Sequence, residues 1–204
     1  MKRLSIVLVM VLFVCFLGLD VFAAGKEFSA DTITKSNAPG MGEMSGKMYF
    51  GKDKMRMETA ESVMITRMDK KVAYTLMPSQ KMYMEMPFGQ ATQNMPLDKT
   101  PGEVERTPMG KELVNGRMTD KYKITVMAAD QKTEMYSWMD KELGIPIKSS
   151  AVDGSWSYEY KNVKVGPQAD SLFEIPAGYT KFNFQAPSQA DIEKLKKMYG
   201  GEEE

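Results

Sequence analysis

Between residues 26 and 166 the chain reads as a succession of short alternating stretches, each closed by a turn signal, and this rhythm constrains the fold more than any other feature. Regularly spaced strands with local turns argue an antiparallel meander rather than βαβ units. Residues 26–35 alternate weakly, and the Asn-, Ala-, Pro- and Gly-rich stretch 37–42 reads as a loop. Met48 and Phe50 share one face of a strand that ends at Gly51, Lys52-Asp53-Lys54 turns the chain, and Met55 and Met57 share a face of the next strand. Residues 62–68, 72–77 and 81–86 follow as strands, separated by Asp69-Lys70-Lys71 and Pro78-Ser79-Gln80. Further strands are predicted at 103–107, 111–115, 119–128, 132–139, 145–152, 155–162 and 163–166. Asn115-Gly116 is a strong two-residue hairpin signal, and residues 140–144 and Asp153-Gly154 supply further turns. Residues 87–101 hold Pro87, Gly89, Pro96 and Pro101 and read as a long loop. Ser188 followed by Asp191 opens a short helix over 188–199 with Ile192 and Leu195 on its apolar stripe, before a polar tail.

The first residues are an address. Lys2 and Arg3 precede an apolar run over 4–19, and Val21-Phe22-Ala23 offers a cleavage site, so residues 1–23 read as a secretory signal peptide. The apolar run is shorter than the roughly 20 residues a spanning helix needs. A short basic region of this kind points to a bacterial envelope and a periplasmic location. The expected organisation is a leader (1–23), one β domain (24–187) and a C-terminal helix with its tail (188–204).

Composition then narrows the chemistry. The chain has 20 Met, no His and a single Cys, Cys15, which falls in the leader. Without His or a further Cys there is no Ser-His or Cys-His nucleophile system and no ordinary zinc site. Carboxylates such as Glu58, Glu61, Glu85, Glu103, Glu105, Glu134 and Asp153 are scattered, with nothing marking two as a facing pair, so no enzymatic activity and no cofactor are expected. Formal net charge is zero and no basic stripe is present, which argues against nucleic-acid binding.

The ordered series "GKMYFGKDKMRM", "ITRMDKKVAYTLMPSQKMYMEM", "GKELVNGRMTDKYKITV", "YSWMDKELGIPIKS" and "DSLFEIPAGYTKF" resembles the lipoprotein-carrier (LolA/LolB-like) superfamily, and within it an uncharacterised group of secreted proteins. The resemblance spans roughly Phe28 to Phe182. It implies a mainly β fold, a strongly curved antiparallel sheet forming an unclosed half-barrel, which binds acyl chains or other hydrophobic ligands in its concavity. The carriers have a long helix between their first and second strands. The Gly- and Met-rich segment 38–46 stands in that place here, so the resemblance points to a relative with another hydrophobic ligand.

The methionines are the candidate site. Strand alternation sends Met82, Met84 and Met86 one way and Lys81, Tyr83 and Glu85 the other. Met55, Met57, Met64 and Met68 lie nearby in sequence, and with Trp138 they form the expected lining for a lipid or other apolar small molecule. The commoner reading of such residues is plain core packing. Two other readings stay open. Thioethers are soft Cu(I) or Ag(I) ligands, and Met41, Met44 and Met48 could wrap an ion if their Gly-rich segment is a loop. Alternatively, exposed strand edges meet an envelope protein and no ligand is held. Trp156, Tyr158 and Tyr160 share one strand face, as packing or as cleft lining. A monomer is expected.

Overall fold

A computed structural model of the chain describes residues 26–87, 100, 102–128 and 131–182. The expected leader, nearly all of the expected loop at 87–101 and the expected helix at 188–199 lie outside the described residues. The strands are β1 (Phe28–Ser36), β2 (Gly42–Gly51), β3 (Lys54–Glu58), β4 (Val63–Arg67), β5 (Val72–Met77), β6 (Met82–Pro87), β7 (Glu103–Val114), β8 (Arg117–Ala128), β9 (Gln131–Asp140), β10 (Ile145–Ala151), β11 (Trp156–Val165) and β12 (Thr180–Lys181). They form one 12-stranded sheet in the order β12-β6-β5-β4-β3-β2-β1-β11-β10-β9-β8-β7. Every neighbouring pair is antiparallel except β12 with β6. Among the described residues the two end strands do not pair, so the sheet is not closed.

Local residues explain the meander. Asp53, Lys71, Lys81 and Asn115 adopt φ between 50° and 56° at the tight turns, the left-handed geometry that matches hairpin turns to the twist of their strands. The expected strands 103–107 and 111–115 are in fact one strand, β7, with irregularities between Glu103 and Glu105 and between Pro108 and Gly110. Pro108 has no N–H to donate and is tolerated on this edge strand, where a bulge already interrupts the ladder. Likewise 155–162 and 163–166 are one strand, β11. Its register against β1 shifts between Ser29 and Asp31, and Asn162 takes up the extra residue with φ 51°. The loop expected over 37–42 gives way to strand at Gly42.

The bulges curve the sheet. Three strands separate β7 from β11, which in a flat sheet is about 19 Å. Yet the Asn115 side-chain amide, at the β7–β8 turn, donates to the Tyr160 carbonyl (2.7 Å) and to Glu159 Oε1 (2.9 Å) on β11. Only a strongly curled sheet brings those strands together. Val114 is buried there, in the same cluster as Leu143, Ile145, Ile147 and Tyr160.

After β11 the chain forms a strap over one face of β2–β6. It runs through a 3-10 turn (Asp170–Phe173) and ends as β12 beside β6. Phe173 is buried among Val63, Ile65 and Leu76. It lies against Gly51, where an added Cβ would come within 3.1 Å of the ring. Cations on the sheet hold the strap backbone. Lys54 pairs with Asp170 (2.5 Å), Arg56 donates to the Leu172 carbonyl (2.8 Å), and Arg67 donates to the Phe173 carbonyl (3.3 Å) and to Glu174. Arg67 is itself buried and is gripped by both oxygens of Asp69 at 2.8 and 2.6 Å.

Replacing Arg67 by Met strands Asp69 and frees the strap, and should lower unfolding free energy by about 3 kcal/mol in urea titrations. The hydrogen bonds from Arg67 hold both the Asp69 and the Glu174 carboxyl below their ordinary values of 3.8 and 4.5. A lowered folded pKa means the clamp stabilises fully above about pH 4.5 and loses that contribution as pH falls through the folded values. The urea midpoint should therefore drop on acidification below about pH 4.5 in the native protein, and drop less steeply in Arg67→Met.

Candidate functional site: a methionine-rich, charge-free sheet face

Register sorts the side chains of the sheet by chemistry. Met48 pairs with Met57, Met57 with Met64, Met64 with Thr75, and Thr75 with Met84. Directly opposed residues project to the same face, so one row crosses β2 to β6 carrying four thioethers. The next row runs Phe28, Phe50, Met55, Thr66, Ala73, Met86. Met77 faces Met82 at the far end of β5–β6. Beyond β2 the same face continues through Thr32 and Thr34 to Tyr160 and Tyr158, and on to Ser149 of β10. From β6 across to β10 no charged side chain falls on a paired position of this face.

The opposite face takes the charges. Its rows include Tyr49–Arg56–Ile65–Tyr74–Glu85 and Lys47–Glu58–Val63–Leu76–Tyr83. Its ionic groups pair with each other, as in Arg56–Glu58 (2.6 Å), Lys35–Glu43 (3.0 Å), Asp31–Lys47 (3.2 Å) and Glu85–Lys181 (2.9 Å). A groove near the β1–β11 bulge is lined by Asp31, Lys47 and Asn162. Asp31 is lowered from its ordinary value by hydrogen bonds from Asn162 and then Lys47, so its lone pairs are already engaged.

Burial on the methionine face changes steadily. At β1–β3, Phe28 and Phe50 stack at 4.4 Å, Tyr160 meets both edge-on, and Met48 and Met55 are almost sealed at 1% and 3% exposure. Met57 packs on this floor, half-buried. Met64, Met82 and Met84 are half-buried, and Met86 is 50% exposed. Tyr158 packs edge-on to Tyr160 at 5.1 Å, and burial pushes its hydroxyl well above the ordinary tyrosine value. The face is a rigid aromatic floor that grades into flexible thioethers at the β6 end.

The structure thus brings together Met55, Met57, Met64, Met82, Met84 and Met86, with Met68 continuing their alternation just past β4. Trp138 lies in the same buried cluster as Met48 and Met55, on which Met57 packs. It pairs with Lys148, which pairs with Glu159, whereas Ser137 and Ser149 align with Tyr158. Its ring sits between the Lys121 and Lys148 ammonium groups at 4.6 and 4.8 Å, and the β10 register shift between Pro146 and Lys148 lets it join the core from that position. The Glu112 carboxyl, beside Trp138 and then Lys121, is held below its usual range. Met44 and Met48 are four residues apart on an extended strand, about 13 Å, so they do not converge as a loop would allow. Met48 belongs to the thioether row instead. Among the described residues no group of three or more His, Cys, Asp or Glu could hold a metal ion. Sequence reasoning missed Met77 and the Phe28–Phe50–Tyr160 floor. The alternation of β5 and its hairpin with β6 were legible, but the register that sets Met77 opposite Met82 was not.

Comparison with solved structures returns weak overall likenesses. MucB in complex with MucA(peri) aligns with a TM-score of 0.49 and 11% identity, over 81% of this chain and 60% of that chain. LprF from Mycobacterium bovis gives 0.44 and 11%, over 81% and 96%. A LolA superfamily protein from Nitrosomonas europaea gives 0.34 and 10%, over 79% and 97%. The chain spans 60% of the length of the MucB chain it matches. Comparison with curated proteins gives no match. Residues 32–145 match the profile described as "Domain of unknown function (DUF4412)", and the chain belongs to that family.

Proposed function

We propose that this protein is a non-catalytic binding protein of the bacterial envelope that holds an apolar ligand, a lipid or acyl chain, against its methionine face. One observation carries the reading: the uncharged face that grades from sealed floor at Met48 to half-exposed thioethers at Met84 and Met86. Apolar contact contributes about 25 cal/mol per Å² removed from water, so such a surface binds hydrocarbon without any polar motif. Unbranched, polarizable thioethers re-pack around ligands of varied shape. The charged face offers no comparable area in this half of the sheet, because the strap occupies its apolar residues. In this reading the leader delivers the protein to the periplasm, where it acts as a monomer.

The thioether row is also chemically suited to a soft monovalent cation, since Met57 and Met64 oppose each other directly and such pairs have Cβ atoms about 4.5–5.5 Å apart. Native mass spectrometry of protein gently isolated from its own periplasm separates the readings. The expected result is an adduct of lipid mass. In Met57→Asp and Met84→Asp, with circular dichroism unchanged, the bound fraction should fall about tenfold or more, because each buries an uncompensated carboxylate against the ligand. Retention of lipid by both folded variants would sink the proposal. A copper-mass adduct lost in Met57→Leu/Met64→Leu would replace it with the metal reading.

A further inference from the structure

The graded exposure of the methionines has a chemical consequence that an all-leucine face would lack. Cys15 is the only thiol in the chain and lies in the leader, so in the β domain oxidisable sulfur is thioether. A peroxide converts a thioether in one step. The sulfur lone pair attacks a peroxide oxygen, the O–O bond breaks as the S–O bond forms, and water leaves. Sulfur loses two electrons, peroxide gains them, and the product is a polar sulfoxide that sulfoxide reductases return to thioether. Access decides which sulfurs react. Met86 is 50% exposed and Met82 and Met84 are half-buried, whereas Met48 and Met55 lie at 1% and 3% under the aromatic floor.

Resting on the apolar-ligand reading, we propose that Met82, Met84 and Met86 are a reversible oxidation site through which peroxide discharges the ligand. Oxidation enters at the β6 end, where Met84 and Met86 oppose Thr75 and Ala73, and stops before the Phe28–Phe50–Met48 floor. The sheet therefore stays folded while the ligand-facing end turns polar. Met44, Met109, Met118 and Met127 are also exposed and oxidise as well. Of these, Met109, Met118 and Met127 lie on β7 and β8, away from β6 in the sheet order.

The test uses the full mature protein and the apolar fluorophore N-phenyl-1-naphthylamine, titrated before and after hydrogen peroxide, with peptide mass mapping and circular dichroism. Met86 should convert before Met84 and Met82, with Met48 and Met55 remaining thioethers and the fold intact. Probe affinity should fall about tenfold or more and return after sulfoxide reductase treatment. The Met82→Leu/Met84→Leu/Met86→Leu variant, compared only with its own unoxidised form, should lose far less affinity, although exposed Met44 and half-buried Met57, Met64 and Met77 on the same face still oxidise. Unchanged affinity in the oxidised native protein, or equal loss in the triple variant, overturns the oxidation site and leaves the ligand reading standing. Absence of probe binding before any oxidation overturns the ligand reading, and this inference with it.

Discussion

Everything distinctive about this sheet depends on strict period-two alternation held in one register. Across β2–β6 the charges all fall on one side, and thioethers, threonine, alanine, glycine and Phe50 occupy the other. A slip of one residue exchanges the two faces. It would place Arg56 and Glu58 among the methionines and expose Met55 and Met57. The cost of burying those charges without partners is far larger than the gain from any alternative pairing. The hydrogen-bond ladder alone is indifferent to such a slip, so the side-chain chemistry selects the register. The short turns through Asp53, Lys71 and Lys81, each with φ near 50–56°, remove the slack that slippage would need.

With the faces fixed, the strap determines which one carries apolar surface. The charged face of β2–β6 is not purely polar, since Val63, Ile65 and Leu76 project from it beside Tyr49, Tyr74 and Tyr83. Phe173 and Leu172 complete that small core, and Lys54, Arg56 and Arg67 fasten the strap to the sheet with charge-assisted hydrogen bonds. The opposite face receives its own aromatic floor at β1, β2 and β11 and then thins towards β6. One face is finished by the chain's own C-terminal segment, and the other keeps half-buried thioethers.

The choice of methionine shapes what that second face can do. Leucine would give similar apolar volume with narrower rotamer choice, whereas a thioether row adapts to its contents and can be oxidised. The Phe28–Phe50 stack and the edge-on Tyr160 beneath it provide the rigidity that the thioethers lack. Stability is concentrated at the floor and adaptability at the β6 end.

Much of this was determined by sequence alone. Turn residues and alternation set the meander, placed Met82, Met84 and Met86 together opposite Tyr83 and Glu85, and aligned Trp156, Tyr158 and Tyr160. These are local properties, governed by φ preferences and by the two-residue repeat of a strand. Sequence did not reveal that 103–107 and 111–115 join through a bulge at Pro108, because an irregular proline in an edge strand looks like a break. Nor did it reveal that Trp138 is flanked by Lys121 and Lys148, since its neighbours depend on the shift between Pro146 and Lys148. The row from Met48 to Met84, the curl that brings Asn115 to Tyr160 and the strap across β2–β6 belong to the tertiary structure. Each depends on which strands become neighbours, and that is decided by burial and pairing summed over the whole sheet rather than by the residues adjacent in the chain.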